Sequence, residues 1–584
     1  MPLRVGKEVQ EVPRSRAVAT SALALLTLVC HGLPARAQTE SAARAVSFDS
    51  EAALKQLKRA QRNFEQLRES NAPTLQYDLP PHCDARFGAY CYHFGAPDEE
   101  SPAEPAGTDQ ARAQLLDQLD DGARLLPADP WIAGQRVRYL VEHGRTEAAA
   151  SAARECRAER WWCTALAAFV LHAQEDDAAA DTLFAQALAE MPAAERCVWT
   201  DLAPLLGDQA GLYSKLPCQA REGRNPRLWW LGRPLFLRAG NDLRVEHYSR
   251  LVMARMFSGE GLDRPVKVGG NFSELIIRYG WPVSWVRAPR RAGDLEPGKL
   301  ITRERMPSWS FFPSAGQPPV WQLDSSMAAS VYAPTWAKTF STIDHLQIAR
   351  FRRGDSVVTV AGFDVSTDTV LAGLTPKVAL AVGTDAGTPV VLSPVLKALY
   401  GAVAVQSTEP PTLVSLEAMR EEARWAGRFR SAAPDAAAWF TSPLSDILLV
   451  RAEAAGTGAI DTLTAVTLPG TVLPGGQPVG IYWEWYEHPP AGTVLAIEAR
   501  VAKLGGKGRP DPLGRSACAP PGKAAIAVQW REPVTARSTA VGRAVALDLT
   551  RLEPGRYLIA ISVSAEGATT PPRCTSREIL LAGR

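Results

Sequence analysis

The N-terminus decides the compartment, and the compartment limits what the rest of the chain can be. Residues 1–16 carry Arg4, Lys7, Arg14 and Arg16, and an uncharged run rich in Leu and Ala follows from Ala17 to Val29. Pro34-Ala35-Arg36-Ala37 then precedes Gln38. A positive leader, a short apolar run and an Ala-x-Ala site make a secretory signal peptide. We read residues 1–37 as that peptide, cut after Ala37. The competing reading is a membrane anchor, but the run is shorter than the ~20 residues a spanning helix needs. Val29 is too bulky for a lipid-modified Cys30. No later segment is long and apolar enough to span, so the mature chain is expected to be exported (periplasmic, envelope-associated or secreted) without a transmembrane segment.

Export changes the meaning of the cysteines. Setting Cys30 aside leaves Cys83, Cys91, Cys156, Cys163, Cys197, Cys218, Cys518 and Cys574. An even count in an exported chain reads as disulfides. Sequence proximity orders them as Cys83 with Cys91, Cys156 with Cys163, Cys197 with Cys218, and Cys518 with Cys574. The first three close short local loops. The fourth spans much of a β-rich segment and should stabilise it most, by at most ~4 kcal/mol of unfolded-state entropy. His82-Cys83 and Cys91-x-His93 could alternatively hold a tetrahedral zinc. The oxidising compartment favours the disulfide and leaves His82 and His93 as loop residues.

Lys+Arg total 64 against 62 Asp+Glu. Removing residues 1–37 leaves 59 basic and 60 acidic groups, and eleven of the basic ones are Lys. A protein that neutralises phosphates carries a basic excess, so nucleic acid is excluded as a partner. The 584 residues allow three or four domains at ~150 residues each.

Six segments follow from pattern: 1–37, 38–109, 110–222, 223–295, 296–440 and 441–584. In the second, Ala53, Leu57, Ala60, Phe64 and Leu67 recur at spacings of four and three, which predicts a helix over 48–70. An aromatic loop over 82–94 and a Pro/Glu/Gly-rich linker over 95–109 complete it. Residues 110–222 are Ala-, Leu- and Glu-rich, beginning with a helix over 113–126. Ala168, Leu171, Ala180, Phe184, Ala187 and Pro192 form one repeat copy, and Trp131, Tyr139, Gly144, Ala149 and Ala153 a weaker one. Small residues at these spacings let paired helices approach closely, and the pattern resembles tetratricopeptide repeats. That resemblance implies a protein partner docked through the helical repeats. A plain helical bundle is the alternative.

Residues 223–295 carry Trp229-Trp230, Asn241-Asp242, a helix over 244–257 and a run Glu274–Tyr279 that reads as a strand, closed by Gly280-Trp281-Pro282. Arg278, Tyr279, Gly280 and Pro282 make this segment resemble the GWxTD family of exported bacterial proteins. The Gly-Trp-x-Thr-Asp signature is absent; Gly269-Gly270-Asn271-Phe272 stands near its place. The resemblance implies a β-rich continuation ending in a sandwich, and no catalytic residues. Short β-branched runs over 355–364, 378–382, 390–392 and 402–406 make 296–440 β-rich. Seven runs over 446–454, 479–488, 493–503, 524–532, 544–550, 555–564 and 575–582 predict an immunoglobulin-like sandwich over 441–584. The fold class is therefore α+β multidomain, helical first and β-rich last.

No His-Glu-x-x-His, Gly-x-Ser-x-Gly, P-loop, Cys-x-x-Cys or EF-hand loop occurs in the sequence. Tyr482-Trp483-Glu484-Trp485-Tyr486 is the densest aromatic run, which as a strand sends Trp483 and Trp485 to one face. It reads as sandwich core, with a sugar-binding platform as the alternative. Asp385-Ala386-Gly387-Thr388 reads as a turn, and Arg350, Arg352 and Arg353 beside Asp355 as a solvated strand end. These readings assign no catalytic, cofactor or metal residue. They point to a non-catalytic interaction or scaffold component of a bacterial envelope, with a carbohydrate-binding or carbohydrate-processing envelope protein as the runner-up.

Overall fold

The computed structural model describes residues 35–73, 85–87, 90–95, 103–206, 210–258, 272–280, 284–287, 300–305, 336–384, 389–433, 436–454, 460–487, 490–506, 508–514, 518, 524–534, 541–567 and 569–583. Residues 1–56 and 57–584 are separate compact units. The first is described as the opening turns of α1 (Ala35–Asn71). Everything below belongs to the second.

Short strands β1 (Ala85–Phe87) and β2 (Tyr90–Gly95) precede the main helical run. That run is α2 (Ala106–Leu125), α3 (Pro130–Glu142), α4 (Thr146–Glu155), α5 (Arg160–Ala173) and α6 (Asp177–Glu190), then α7 (Ala193–Trp199), α8 (Ala210–Tyr213), α9 (Cys218–Gly232), α10 (Asp242–Ser258) and α11 (Phe272–Tyr279). Local chemistry sets the ends. Asp129 caps α3 by accepting from the Ile132 N–H at 2.9 Å, with Pro130 at the first helical position. Asp176 caps α6 through the Ala179 N–H at 3.1 Å. Ala165, Ala168, Ala180 and Ala187 are fully buried in one core with Trp162, Phe184 and Val252. Side chains this small let neighbouring helix backbones come close.

Residues 274–279, expected as a strand, lie in helix α11, a correction. An apolar run of three residues, Leu275 to Ile277, cannot distinguish strand from helix by periodicity. Tertiary packing decides it: Ile276 and Ile277 are buried in the same core as Leu251 and Val252 of α10. Gly280, at φ +90°, ends the helix by donating its N–H to the Ile276 carbonyl at 2.7 Å.

Strands β3 (Ser284–Arg287) and β4 (Leu300–Arg305) follow, and a sheet ordered β1-β2-β4-β3 joins them to the N-terminal strands. β2 runs parallel to β4, pairing Cys91 with Ile301. The segments drawn as 38–109, 223–295 and 296–440 are thus stitched together by one sheet.

The β-rich half begins with β5 (Thr339–Thr342), β6 (Leu346–Arg353), β7 (Ser356–Asp364), β8 (Lys377–Gly383), β9 (Val391–Leu392), β10 (Leu396–Lys397), β11 (Tyr400–Ser407), β12 (Leu413–Arg420) and β13 (Trp425–Ala432). Helix α12 (Ala436–Phe440), β14 (Leu448–Val450), α13 (Ile460–Val466) and β15 (Val472–Pro474) lead to β16 (Val479–Trp485), β17 (Val494–Lys503), β18 (Ile526–Pro533), β19 (Val541–Leu547), β20 (Gly555–Ala565) and β21 (Arg573–Ala582). The strand expected over 446–454 shrinks to β14, followed by helical turns.

Among the described residues these strands form four stacked sheets: β10-β8-β12-β13-β5 with β9 on β8; β11-β7-β6; β14-β16-β19; and β15-β21-β20-β17-β18. Alternation builds the stack, because neighbouring residues of a strand face opposite ways. Ile348, Ala361 and Phe363 fill the first gap with Val378, Leu380 and Trp425. Their neighbours Ala349, Phe351 and Val360 fill the second with Leu448, Val450 and Tyr482. Ile481 and Trp483 fill the third with Ile497, Val501 and Ile559.

The middle layers explain a second correction. Arg350, Arg352 and Arg353, expected in solvent, lie against protein. The fully buried Arg350 donates to Asp446 at 2.9 Å, and its backbone N–H donates to the same carboxylate at 3.0 Å. Arg352 donates to the Phe440 carbonyl at 2.8 Å, and Arg353 forks onto Glu484 at 2.6 and 2.7 Å. Gln347 substitutes for a strand rung, donating to the Leu449 carbonyl and accepting from the Leu449 N–H, both at 2.9 Å. Arg577 of β21 donates to the Ile348 and Ile447 carbonyls at 2.6 and 2.5 Å. Burial pushes its guanidinium down to about 10. The terminal sandwich therefore shares a buried polar seam with the preceding sheets and does not stand alone.

The helical half is fastened to the first sheet in the same manner. Arg430 donates to Glu417 at 2.7 Å and to the Leu231 carbonyl at 3.1 Å, and Arg428 donates to the Pro234 carbonyl at 2.9 Å. The Leu237 N–H donates to Glu417 at 2.8 Å. Burial, with the like charge of Arg430, pushes the Arg428 guanidinium well below its ordinary value. Trp230 lies so close to Gly383 that an added Cβ would sit 2.6 Å from its ring.

Candidate functional site

Where the helical half meets the first sheet, a cleft of about 620 Å³ opens. Three segments distant in sequence form it. One wall is the α5–α6 turn, with Glu175, Asp176 and Asp177. The second is the loop Leu237–Ala239. The third is the sheet edge, with Lys377 at the start of β8, Val395 and Lys397 around β10, and Met419 and Glu421 at the end of β12.

Unusual backbone shapes the rim. Among the described residues, Glu175 (φ +64°) and Arg424 (φ +49°) are the non-glycine positions in the left-handed region. Each costs of order 1 kcal/mol there. Arg424 closes the β12–β13 turn and pairs with Glu175 across the junction at 3.9 Å. Gly240, at φ +78°, lies against Ala178, whose Cα would be 2.9 Å from an added Cβ.

Behind the acidic wall runs a chain of alternating charge. Arg238 donates to Asp177 at 3.2 Å. His172 donates through Nδ1 to Asp177 at 2.7 Å and through Nε2 to Glu246 at 2.8 Å. Both acceptors are carboxylates, so both ring nitrogens carry protons. Glu246 also accepts from Arg250 at 2.5 Å, and Arg250 donates to the Arg278 carbonyl at 2.8 Å. Burial opposes a charged His172, but the hydrogen bonds and charges of Asp177 and Glu246 outweigh it and raise its pKa to about 10. Burial likewise opposes a charged Glu246, and Arg250 and His172 overcome it, holding the carboxyl at about 2. At neutral pH His172 is an imidazolium with no lone pair to offer as a general base.

The basic side is built differently. Lys377 and Lys397 lie directly opposite each other in the β8–β10 register. Like charges at facing positions repel. Glu421 stands 3.7 Å from Lys377 and offsets part of that repulsion. Among the described residues no carboxylate is within ion-pair distance of Lys397. Ala178, Leu237, Val395 and Met419 also line the cleft, and of these Val395 is 51% exposed.

No family model matches the chain, and no curated protein matches it. Among solved structures, one described as "Putative membrane anchored protein from Corynebacterium diphtheriae" is 13% identical. That match covers 41% of this chain and 59% of the other, with a TM-score of 0.14, too low to carry an argument about the fold.

The residues singled out by sequence fall elsewhere. Cys156–Cys163, Cys197–Cys218 and Cys518–Cys574 form disulfides, with Cα separations of 5.6, 5.7 and 4.8 Å. Cys83 and His82 lie outside the described residues, and Cys91 and His93 are described only as backbone of β2, so the first pair and its zinc alternative lie outside as well. Asp385–Thr388 are also outside. Among the described residues, no three His, Cys, Asp or Glu side chains gather as a metal site. The aromatic run is buried on both faces. Trp483 and Trp485 enter the sandwich core, while Tyr482 and Tyr486 donate to Glu484 at 2.6 and 3.0 Å. Being a middle layer leaves it no face for a sugar. Sequence reasoning missed the cleft, because its lining residues come from segments far apart in the chain.

Proposed function

We propose that this chain is a non-catalytic interaction or scaffold protein of the bacterial envelope. The observation that carries the reading is the state of its polar groups. The carboxylate of the aromatic run, Glu484, is saturated by Tyr482, Tyr486 and Arg353. The junction cleft is lined among the described residues by no Ser, Cys, His or Tyr. The nearest histidine, His172, is held protonated. The cleft's carboxylates are engaged in structural contacts: Asp177 with His172 and Arg238, Glu175 with Arg424, Glu421 with Lys377, and Asp176 as the cap of α6.

The finer fold assignments belong to the same proposal. The pairs α3/α4 and α5/α6, with small residues buried between them, support tetratricopeptide-like repeats as a docking region for a protein partner. The order β14-β16-β19 against β21-β20-β17 supports reading these strands as A-B-E and G-F-C of an immunoglobulin-like sandwich. Tyr557 at the start of β20 donates to the Glu553 carbonyl at 2.9 Å, the place of the tyrosine corner in such domains. Kinship to the GWxTD family rests on Arg278, Tyr279, Gly280 and Pro282, the first three of which end a helix here. The three disulfides and the lack, among the described residues, of a helix long and apolar enough to cross a membrane are consistent with export.

The test is crosslinking in intact cells from photoreactive residues on the exposed helical face, alongside a hydrolase panel on purified mature protein. Crosslinks to one defined envelope protein, with no turnover, support the reading. Turnover of any glycan, peptide or ester substrate overturns it.

A further inference from the structure

We infer that the junction cleft binds short peptides as zwitterions, with a free ammonium on the α5–α6 wall and a free carboxylate between Lys377 and Lys397. This rests on reading the protein as a binding rather than a catalytic one, and it names the ligand.

The argument starts from charge placement. The cleft carries both signs: Glu175, Asp176 and Asp177 on the helical wall, where Arg238 offsets Asp177, and Lys377 and Lys397 on the sheet edge, where Glu421 offsets Lys377, so the first stays net negative and the second net positive. A purely acidic ligand is repelled by the first wall and a purely basic one by the second. A ligand with opposite charges at its ends satisfies both. The lysine pair gives an independent reason for an anion. Facing cations on adjacent strands destabilise the pairing, and Glu421 approaches one of them only to 3.7 Å. A carboxylate placed between the ammonium groups removes the repulsion and gains charge-assisted hydrogen bonds. On the acidic side, Asp177 is already engaged by His172 and Arg238, and Glu175 by Arg424. Asp176 uses an oxygen on the Ala179 N–H at the start of α6 and keeps acceptor capacity for an ammonium.

Size and apolar lining point to a peptide rather than an inorganic ion. About 620 Å³ falls in the range of sites for organic ligands of drug size. Leu237 and the exposed Val395 add apolar surface to the lining, on which the side chains of a few residues would rest.

The two walls can be tested separately. Asp176→Asn removes the charge but keeps an equally good helix cap, so the fold is retained. Lys397→Gln changes an exposed side chain on a two-residue edge strand. The full mature chain is titrated calorimetrically with free Ala-Leu-Ala, its N-acetylated form, its C-terminal amide and the doubly blocked form. Each single block is expected to weaken binding about tenfold, the equivalent of one lost charge-assisted contact. Asp176→Asn should weaken the free peptide and leave the acetylated one unchanged. Lys397→Gln should weaken the free peptide and leave the amide unchanged. Equal affinity for the free and doubly blocked peptides overturns the inference, and so does the absence of binding at millimolar peptide. Absent binding with the envelope crosslinks intact sinks this site alone. Binding followed by cleavage, read by mass spectrometry, supports the site and sinks the non-catalytic reading.

Discussion

Replacing His172 by Gln tests the charge chain behind the cleft. His172 lies between Asp177, 2.7 Å away and almost wholly buried, and Glu246, 2.8 Å away and mostly buried. Removing the cation leaves two buried carboxylates with only Arg238 and Arg250 for compensation. Losing one partner of a buried ion pair costs about 3–5 kcal/mol. Gln retains one hydrogen bond, so the low end, about 3 kcal/mol, is expected. For one cooperative unit spanning Leu57–Arg584, that lowers Tm by about 3 °C. The pH dependence is the sharper signature. The folded pKa of His172 is raised to about 10 from an ordinary 6.5, so its contribution is complete below pH 6.5 and disappears as pH rises through 10. Glu246, lowered to about 2 from 4.5, contributes fully above pH 4.5 and loses its share as pH falls through 2. Urea unfolding followed by the fluorescence of Trp161, Trp162 and Trp199, which share this core, should show a large gap between wild type and variant at pH 6 that narrows toward pH 10. An equal gap at both pH values refutes the reasoning, as does an assigned His172 imidazole resonance titrating near 6.5.

Three further outcomes follow from the packing. Gly383→Ala forces a methyl into the Trp230 ring and should destabilise the junction by about 1–3 kcal/mol, seen as a lower urea midpoint. Asp446→Asn leaves buried Arg350 without its carboxylate, costs about 3–5 kcal/mol, and should open the seam around residues 441–446 to limited proteolysis, whereas substitution of exposed Glu453 should change neither. Changing Cys518 and Cys574 to Ser in the full chain should cost at most about 4 kcal/mol and raise hydrogen exchange first in β21, because the bond anchors the start of that strand.

Helices of 110–200 were legible because their signal is local. A 3.6-residue period, an Asp cap and a following turn lie within a dozen residues, and α3 to α6 sit where the pattern put them. Strands β16, β17 and β20 were legible for the same reason, through alternation. The disulfides at 156–163, 197–218 and 518–574 followed from export and proximity. What failed was decided by partners far along the chain. Arg350 looks solvated until Asp446, 96 residues later, arrives beside it. Glu274–Tyr279 looks like a strand until α10 offers a helical groove. The cleft had no local signature at all. Its lining comes from residues 175–178, 237–239, 377, 395, 397, 419 and 421, and what makes it a site is that carboxylates and lysines from these segments gather in one cleft. Opposite charges scattered over 250 positions are only composition; a packed interior that holds Asp177 on His172, and Lys377 across from Lys397, turns them into an electrostatic surface.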